Sequence, residues 1–164
     1  MEHKVHDWAL DVNTQGFQRV PDISGDDAND TRLLRGMAGS ARDYITSFNW
    51  CPPISDCYLA SGIGGVAALF LFKFASKIQD SDDQLWVVIG DLPSAYLVVD
   101  ADDTPQQVMD RYCELMEEWI AAVRDSAPLE TVFPVSAAPT VENAELLEKR
   151  IAFLVAEILP QMKA

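Results

Sequence analysis

Apolar residues recur at helical spacing in three segments of this chain, residues 30–48, 104–125 and 141–159. Spacings of three and four residues place side chains on one face of a helix, so we predict three amphipathic helices. The third helix is expected to stop near Pro160, because proline cannot continue a helix.

The starts of the first two helices carry capping residues. Asp30 or Thr31 can cap the first helix by accepting a hydrogen bond from an unpaired backbone N–H. Thr104, Pro105 and Gln107 match a capping box with proline at the first helical position. The helix over residues 104–125 is therefore the most clearly marked element of the chain.

Four segments typical of β-strands lie between the first two helices. The last two are separated only by the turn sequence GDLPSA, residues 90–95. Such a short link requires an antiparallel pair, because a parallel pair needs a crossover of about a dozen residues or more. The predicted strands cover residues 54–60, 66–75, 84–89 and 95–99.

These elements predict an α+β fold in the order α-β-β-β-β-α-α. We expect a four-stranded antiparallel sheet packed by two or three helices, with residues 104–125 and 141–159 among them. The chain has 164 residues, which suits one domain. Residues 1–27 are polar and show no steady period, so we predict a loosely attached N-terminal arm followed by a single α+β domain over residues 28–164.

Charge excludes two classes of partner. The net charge is −14, and residues 80–130 contain 13 acids but only two bases. Binding to nucleic acid needs clustered Lys and Arg to neutralise phosphates, and binding to anionic membranes needs the same. We therefore expect neither nucleic acid nor membrane as a partner.

The compartment is suggested by cysteine usage and by apolar runs. Three cysteines, at positions 51, 57 and 113, do not form an even disulfide framework, which favours a reducing compartment. The N-terminus lacks the apolar core of a signal peptide. The longest apolar run, residues 62–72, falls well short of the roughly 20 residues that span a bilayer. We predict a soluble, cytoplasmic protein.

The glycines Gly62, Gly64 and Gly65 are the first candidate site. The segment matches the pattern G-x-G-x-x-A, which in dinucleotide-binding folds opens a helix after a strand. The residues that follow are apolar on every face and favour a strand, so we interpret the glycines as a turn between two strands. Binding of a small ligand or nucleotide at this turn is the alternative function.

The other reactive residue types offer no catalytic or metal site. Cys51 and Cys57 lie too far apart for a C-x-x-C motif, and Cys113 borders the apolar face of a helix. The only histidines, His3 and His6, lie in the predicted arm, which leaves the body without the commonest general base. We therefore expect no intrinsic enzyme activity, no metal and no cofactor.

Loop acids are the second source of chemistry that the sequence offers. They form two clusters in predicted turns, where solvated surface acids are the simplest interpretation. The clusters are Asp80, Asp82 and Asp83, and Asp100, Asp102 and Asp103.

A row of acids on the strongest helix is the second candidate site. Asp110, Glu114 and Glu117 are spaced i, i+4, i+7, so they share one face of helix 104–125. Either this is only a solvated surface or it docks a basic partner with electrostatic steering. We predict a non-enzymatic acidic protein of the inhibitor, antidote or chaperone type that binds a basic protein.

A homodimer is a further expectation. Leu146 and Phe153 lie seven residues apart on the last helix, outside its main apolar stripe, and obligate interfaces resemble a divided hydrophobic core. The alternative is that the predicted N-terminal arm covers these two residues. The main stripe consists of Leu147, Ile151, Leu154, Val155 and Ile158.

Overall fold

The computed structural model describes residues 12–78 and 83–162 of the chain. The chain divides into two compact units, Met1–Pro105 and Gln106–Ala164. In none of the helices within the described ranges is an apolar stretch long enough to cross a membrane.

In chain order the elements are β1 (Gln18–Arg19), a 3-10 turn (Val20–Asp22), α1 (Ala28–Thr46), β2 (Ile54–Ile63), β3 (Ala67–Phe74), β4 (Gln84–Gly90), β5 (Ala95–Val98), α2 (Pro105–Arg124), α3 (Val141–Phe153), a π-helical turn (Leu154–Ile158) and a second 3-10 turn (Leu159–Gln161).

The five strands form one antiparallel sheet in the order β1-β2-β3-β4-β5, so each strand pairs with its neighbour in sequence. This confirms the α+β class and all four predicted strands. The predicted strand number is wrong, because Gln18–Arg19 adds a fifth strand beside Leu59 and Tyr58 of β2. Two residues are too few to show an alternating pattern. The pairing is instead marked by a tertiary contact, in which Arg19 Nε donates to Asp56 Oδ1 at 3.3 Å.

One face of the sheet packs against α1 and forms the core of the first unit. Phe70, Phe72 and Phe74 alternate along β3 and share this core with Leu85 and Val87 of β4. Burial of each such side chain stabilises the fold by roughly 1.5–3 kcal/mol. The residues of α1 in the same core are Leu34, Met37, Ala38, Ala41 and Ile45.

β3 and β4 are buried on their other face as well. Leu69, Leu71, Trp86 and Val88 are each 0% exposed. Double-sided burial explains why the sequence of β3 is apolar at nearly every position instead of alternating with polar residues.

The glycine-rich segment is the turn of the β2–β3 hairpin, as the turn interpretation predicted. Val66 N donates to Ile63 O at 3.0 Å, and Gly65 has a φ of +79°, which residues with a side chain rarely adopt. The residues after the glycines form a strand. The segment therefore lacks the strand-to-helix connection on which a dinucleotide-binding fold depends.

The start of α1 differs from the predicted start. The N-cap is Asp27, whose side chain accepts a hydrogen bond from Asp30 N at 2.8 Å, so Asp30 and Thr31 both lie in the first turn. Thr31 Oγ1 donates to Asp27 O and accepts from Gly25 N, both at 2.8 Å. Several residues here can cap a helix, and only the path of the preceding loop selects one.

The helices of the second unit follow their predictions closely. α2 lies within one residue of residues 104–125 at each end. Thr140 caps α3 by accepting from Asn143 N at 3.2 Å. The α-helical part of α3 ends at Phe153, and a π-helical turn follows before Pro160, which has no N–H to donate. The predicted helix 141–159 is therefore one continuous helical segment whose pitch changes after Phe153.

Candidate functional site

Three carboxylates form an exposed row along one side of α2. Asp110, Glu114 and Glu117 are all exposed, as their predicted position on the outer face required. Gln106 Nε2 donates to Asp110 Oδ1 at 3.1 Å from the preceding turn. We call these three residues the acidic row.

The buried thiol of Cys113 lies on α2 among the residues of the acidic row. Burial raises the pKa of Cys113 to about 12, and the negative charges of Glu117, Asp110 and Glu114, in that order, contribute in the same direction. Like charges at this helical spacing oppose one another by a few tenths of a kcal/mol per pair. A cation that came close to all three acids would relieve this repulsion.

A groove runs between α2 and α3 and begins beside the acidic row. Its volume is about 840 Å³. Ile120 and Ile151 form its floor, since each is only 3% exposed, whereas Val155 on its wall is 50% exposed. The full lining consists of Glu117, Ile120, Ala121, Arg124, Asp125, Glu148, Lys149, Ile151, Ala152 and Val155. Glu117 therefore belongs both to the acidic row and to this groove, which we call the α2–α3 groove.

An ion pair joins the two helices across the α2–α3 groove. Arg124 Nη2 donates to Glu148 Oε1 at 2.6 Å and Nη1 donates to Glu148 Oε2 at 2.8 Å. The hydrogen bond from Arg124 lowers the pKa of Glu148 below its ordinary value. Both side chains are exposed, so the pair adds little to stability, but its two-point geometry fixes both side chains at the groove.

The groove is the feature that sequence reasoning missed. The sequence pattern predicts Val155 in the main apolar stripe of the last helix, yet Val155 lies in the π-helical turn and is half exposed. Ala121 and Ala152 are exposed alanines that gave no signal on their own. A helical period identifies the faces of single helices, but it does not say which two helices pack side by side.

At the alternative ligand site, two glycine backbone N–H groups already donate hydrogen bonds to side chains of α1. Gly64 N donates to Asp30 Oδ1 at 2.8 Å, and Gly65 N donates to Met37 Sδ at 3.3 Å. Phosphate binding to a glycine loop uses free N–H groups in a field that favours negative charge. Here a carboxylate already occupies the Gly64 amide and would repel a second anion.

Cys51 and Cys57 remain free thiols. Cys51 Sγ donates to Pro52 O at 3.3 Å, and burial raises its pKa. Burial is also the main cause that raises the pKa of Cys57, to about 12. Both thiols are therefore held protonated at neutral pH, which is unfavourable for a nucleophile or a metal ligand.

Asp103 differs from the solvated loop acid that was expected. Its side chain is buried, and its Oδ2 accepts from Trp86 Nε1 at 2.8 Å and from Asp100 N at 2.9 Å. This carboxylate therefore fastens the turn after β5 to the indole of β4. The role is structural and could not be read from a cluster of acids in the sequence.

Several candidate residues fall outside the described ranges. These are His3, His6, Asp80 and Asp82. Over residues 12–78 and 83–162, no group of three His, Cys, Asp or Glu side chains could hold a metal ion.

Comparison of the chain with protein-family models, with curated proteins and with solved structures gives no match.

Proposed function

We propose that this chain is a non-enzymatic interaction protein that binds a basic protein partner through the acidic row of α2. The observation that carries this proposal is the position of Asp110, Glu114 and Glu117 in a row on one exposed side of a single helix. The same row is continuous with an apolar groove through Glu117. Charge brings a partner to this side of the helix, and apolar contact can then hold it there.

Electrostatics determine how such a partner would bind. Residues 80–130 carry most of the net charge of −14, so a basic protein is attracted before contact and its association rate rises. The attraction is screened beyond about 10 Å at 0.1 M salt. Complex formation should therefore slow as salt increases, whereas dissociation, which is governed by short-range contacts, should change less.

The test compares two triple variants that lose the same charge. The first is Asp110→Asn with Glu114→Gln and Glu117→Gln. The second removes three exposed acids elsewhere, through Asp22→Asn, Asp43→Asn and Glu130→Gln. Both variants and the parent chain are immobilised and exposed to native cell extract. Proteins retained by the parent chain are then purified for kinetics with all three proteins.

The kinetic measurement decides the proposal. We expect the first variant to lower the association rate by on the order of tenfold and the second to change it little, because steering depends on local charge. Circular dichroism should show that both variants stay folded. An association rate that is equal in all three proteins, or independent of salt, would show that the acidic row is only a solvated surface.

A further inference from the structure

The shape of the α2–α3 groove fits an elongated occupant. From Glu117 to Arg124 the groove follows α2 for about 10 Å, since a helix rises 1.5 Å per residue. Its side is open at three exposed apolar residues, Ala121, Ala152 and Val155. A small-molecule pocket normally encloses most of its ligand. A groove open along about two helical turns suits a helix that inserts side chains from one face.

The floor and walls of the groove favour apolar side chains. Ile120 and Ile151 supply a buried aliphatic floor, and Val155 adds a half-exposed wall. Ala121 and Ala152 are short, so an incoming side chain can approach both helices closely. Each apolar side chain buried here would lose its contact with water, which favours binding.

The charges around the groove favour a basic occupant. Glu117 and Asp125 line it on the α2 side, while Arg124 and Glu148 neutralise each other. Lys149 is the remaining base of the lining. Asp110 and Glu114 extend the negative surface along α2. A second copy of this chain would bring its own charge of −14, so a basic partner has the better electrostatic match.

We propose that the α2–α3 groove binds a basic amphipathic helix of the partner. The apolar face of that helix enters the groove with residues at i, i+3 or i+4, and i+7, and its Lys or Arg side chains meet Glu117, Asp125 and the rest of the acidic row. This inference rests on the proposed function and adds to it the secondary structure and the sequence pattern of the binding segment.

Two synthetic peptides of about 15 residues, long enough to form a helix, test the proposal. Both contain the same numbers of Leu and Lys. In one, the Leu residues follow helical spacing, and in the other their order is scrambled. Binding is measured by fluorescence anisotropy, and the contact surface is mapped by NMR on protein with labelled Ile, Leu and Val methyl groups. We expect the amphipathic peptide to bind about tenfold more tightly, which corresponds to about 1.4 kcal/mol of binding free energy, and to shift the methyl signals of Ile120, Ile151 and Val155.

A matched pair of substitutions separates the groove from the rest of the surface. Ala152→Phe fills the groove, whereas Ala156→Phe places the same side chain at an exposed alanine outside its lining. We expect about a tenfold loss of affinity for the amphipathic peptide in the first variant and little change in the second. Methyl mapping on the parent chain gives the answer even if Ala152→Phe fails to fold.

Each contrary result has a definite meaning. Equal affinity for the two peptides, unshifted groove methyls, or unchanged binding by Ala152→Phe would overturn the groove proposal. If the acidic-row variant still lowered affinity in those cases, the proposed function would stand without the groove. Peptide binding that depends neither on salt concentration nor on the acidic row would contradict the proposed function itself. Groove methyls that shift with protein concentration alone would instead identify a second copy as the occupant.

Discussion

At the residue scale, Gly90 is the glycine on which the sheet depends most. Its φ of +155° is rarely adopted by residues with a side chain, and a Cβ there would run into Val66 O and lie 2.8 Å from Ala67 Cα. Gly90→Ala should therefore lower the free energy of unfolding by about 3 kcal/mol, because backbone strain and a clash with backbone atoms add. Urea unfolding followed by circular dichroism measures the change.

Substitution of Gly39 is the control for that experiment, with the opposite expected effect on stability. It lies in the middle of α1, and a Cβ built there would meet nothing within 4 Å. Gly39→Ala should raise the free energy of unfolding by up to about 1 kcal/mol, since alanine is the better helix former. A stable Gly90→Ala variant would mean that the β3–β4 contact relaxes readily, against the geometry described above.

The sequence predicted residue roles well where the role depends on neighbours along the chain. The turn at Gly64 and Gly65 and the exposed positions of the acidic row follow from local pattern alone. Asp103 could not be assigned in that way, because its partner Trp86 lies 17 residues earlier, on strand β4. The hydrogen bond between this buried carboxylate and an indole N–H is a tertiary contact, which local sequence periodicity does not predict.

At the element scale, Asp30 links α1 to the β2–β3 hairpin. Its Oδ1 accepts from Gly64 N at 2.8 Å, and its Oδ2 accepts from Asp26 N at 2.9 Å. Asp30→Ala should lower the free energy of unfolding by about 2 kcal/mol, because two backbone donors lose their partner. Asp30→Asn should cost less, since its amide oxygen can still accept from Gly64.

Two measurements check the role of Asp30. Chemical unfolding gives the loss of stability, and hydrogen exchange reports protection of the Gly64 amide, which should fall in Asp30→Ala. Asn29→Ala is the control, because Asn29 is an exposed residue of the same turn whose Oδ1 contacts only the surface side chain of Arg32 among the described hydrogen bonds. Equal stability of Asp30→Ala and Asn29→Ala would show that the link is dispensable.

Helices and strands could be predicted from the sequence where their apolar pattern extends over many residues. α2, β3 and β4 lie within one residue of their predicted bounds, because each has a long apolar pattern. β2 extends three residues beyond its predicted end at residue 60. β1 was missed because two residues carry no pattern, and it exists through pairing with β2. The π-helical turn after Phe153 was missed because the apolar stripe of the last helix continues through it, although Val155 of that turn lies at the wall of the α2–α3 groove.

At the scale of the whole molecule, a net charge of −14 opposes self-association while favouring a basic partner. The two kinds of assembly should therefore respond to salt in opposite directions. A complex with a basic protein should form more slowly as salt rises, whereas two copies of this chain should associate more readily once their mutual repulsion is screened. Salt dependence thus distinguishes the two even before either interface is known.

We propose on this basis that the homodimer predicted from Leu146 and Phe153 forms preferentially at high salt. These side chains are 53% and 54% exposed on α3, and neither lines the α2–α3 groove, so a dimer through them would leave the groove open. Sedimentation equilibrium at about 0.02 M and about 0.5 M NaCl, where screening differs strongly, should show a dimer mainly at the higher salt. Leu146→Gln with Phe153→Gln should abolish it, because the interface loses its apolar contacts.

Val98→Thr is the control, since Val98 is 64% exposed on β5 and its loss should leave the dimer unchanged. A mass of one chain, 18.2 kDa, at every concentration in both salts would refute the dimer. Dimerisation by the double variant would instead place the interface on another surface.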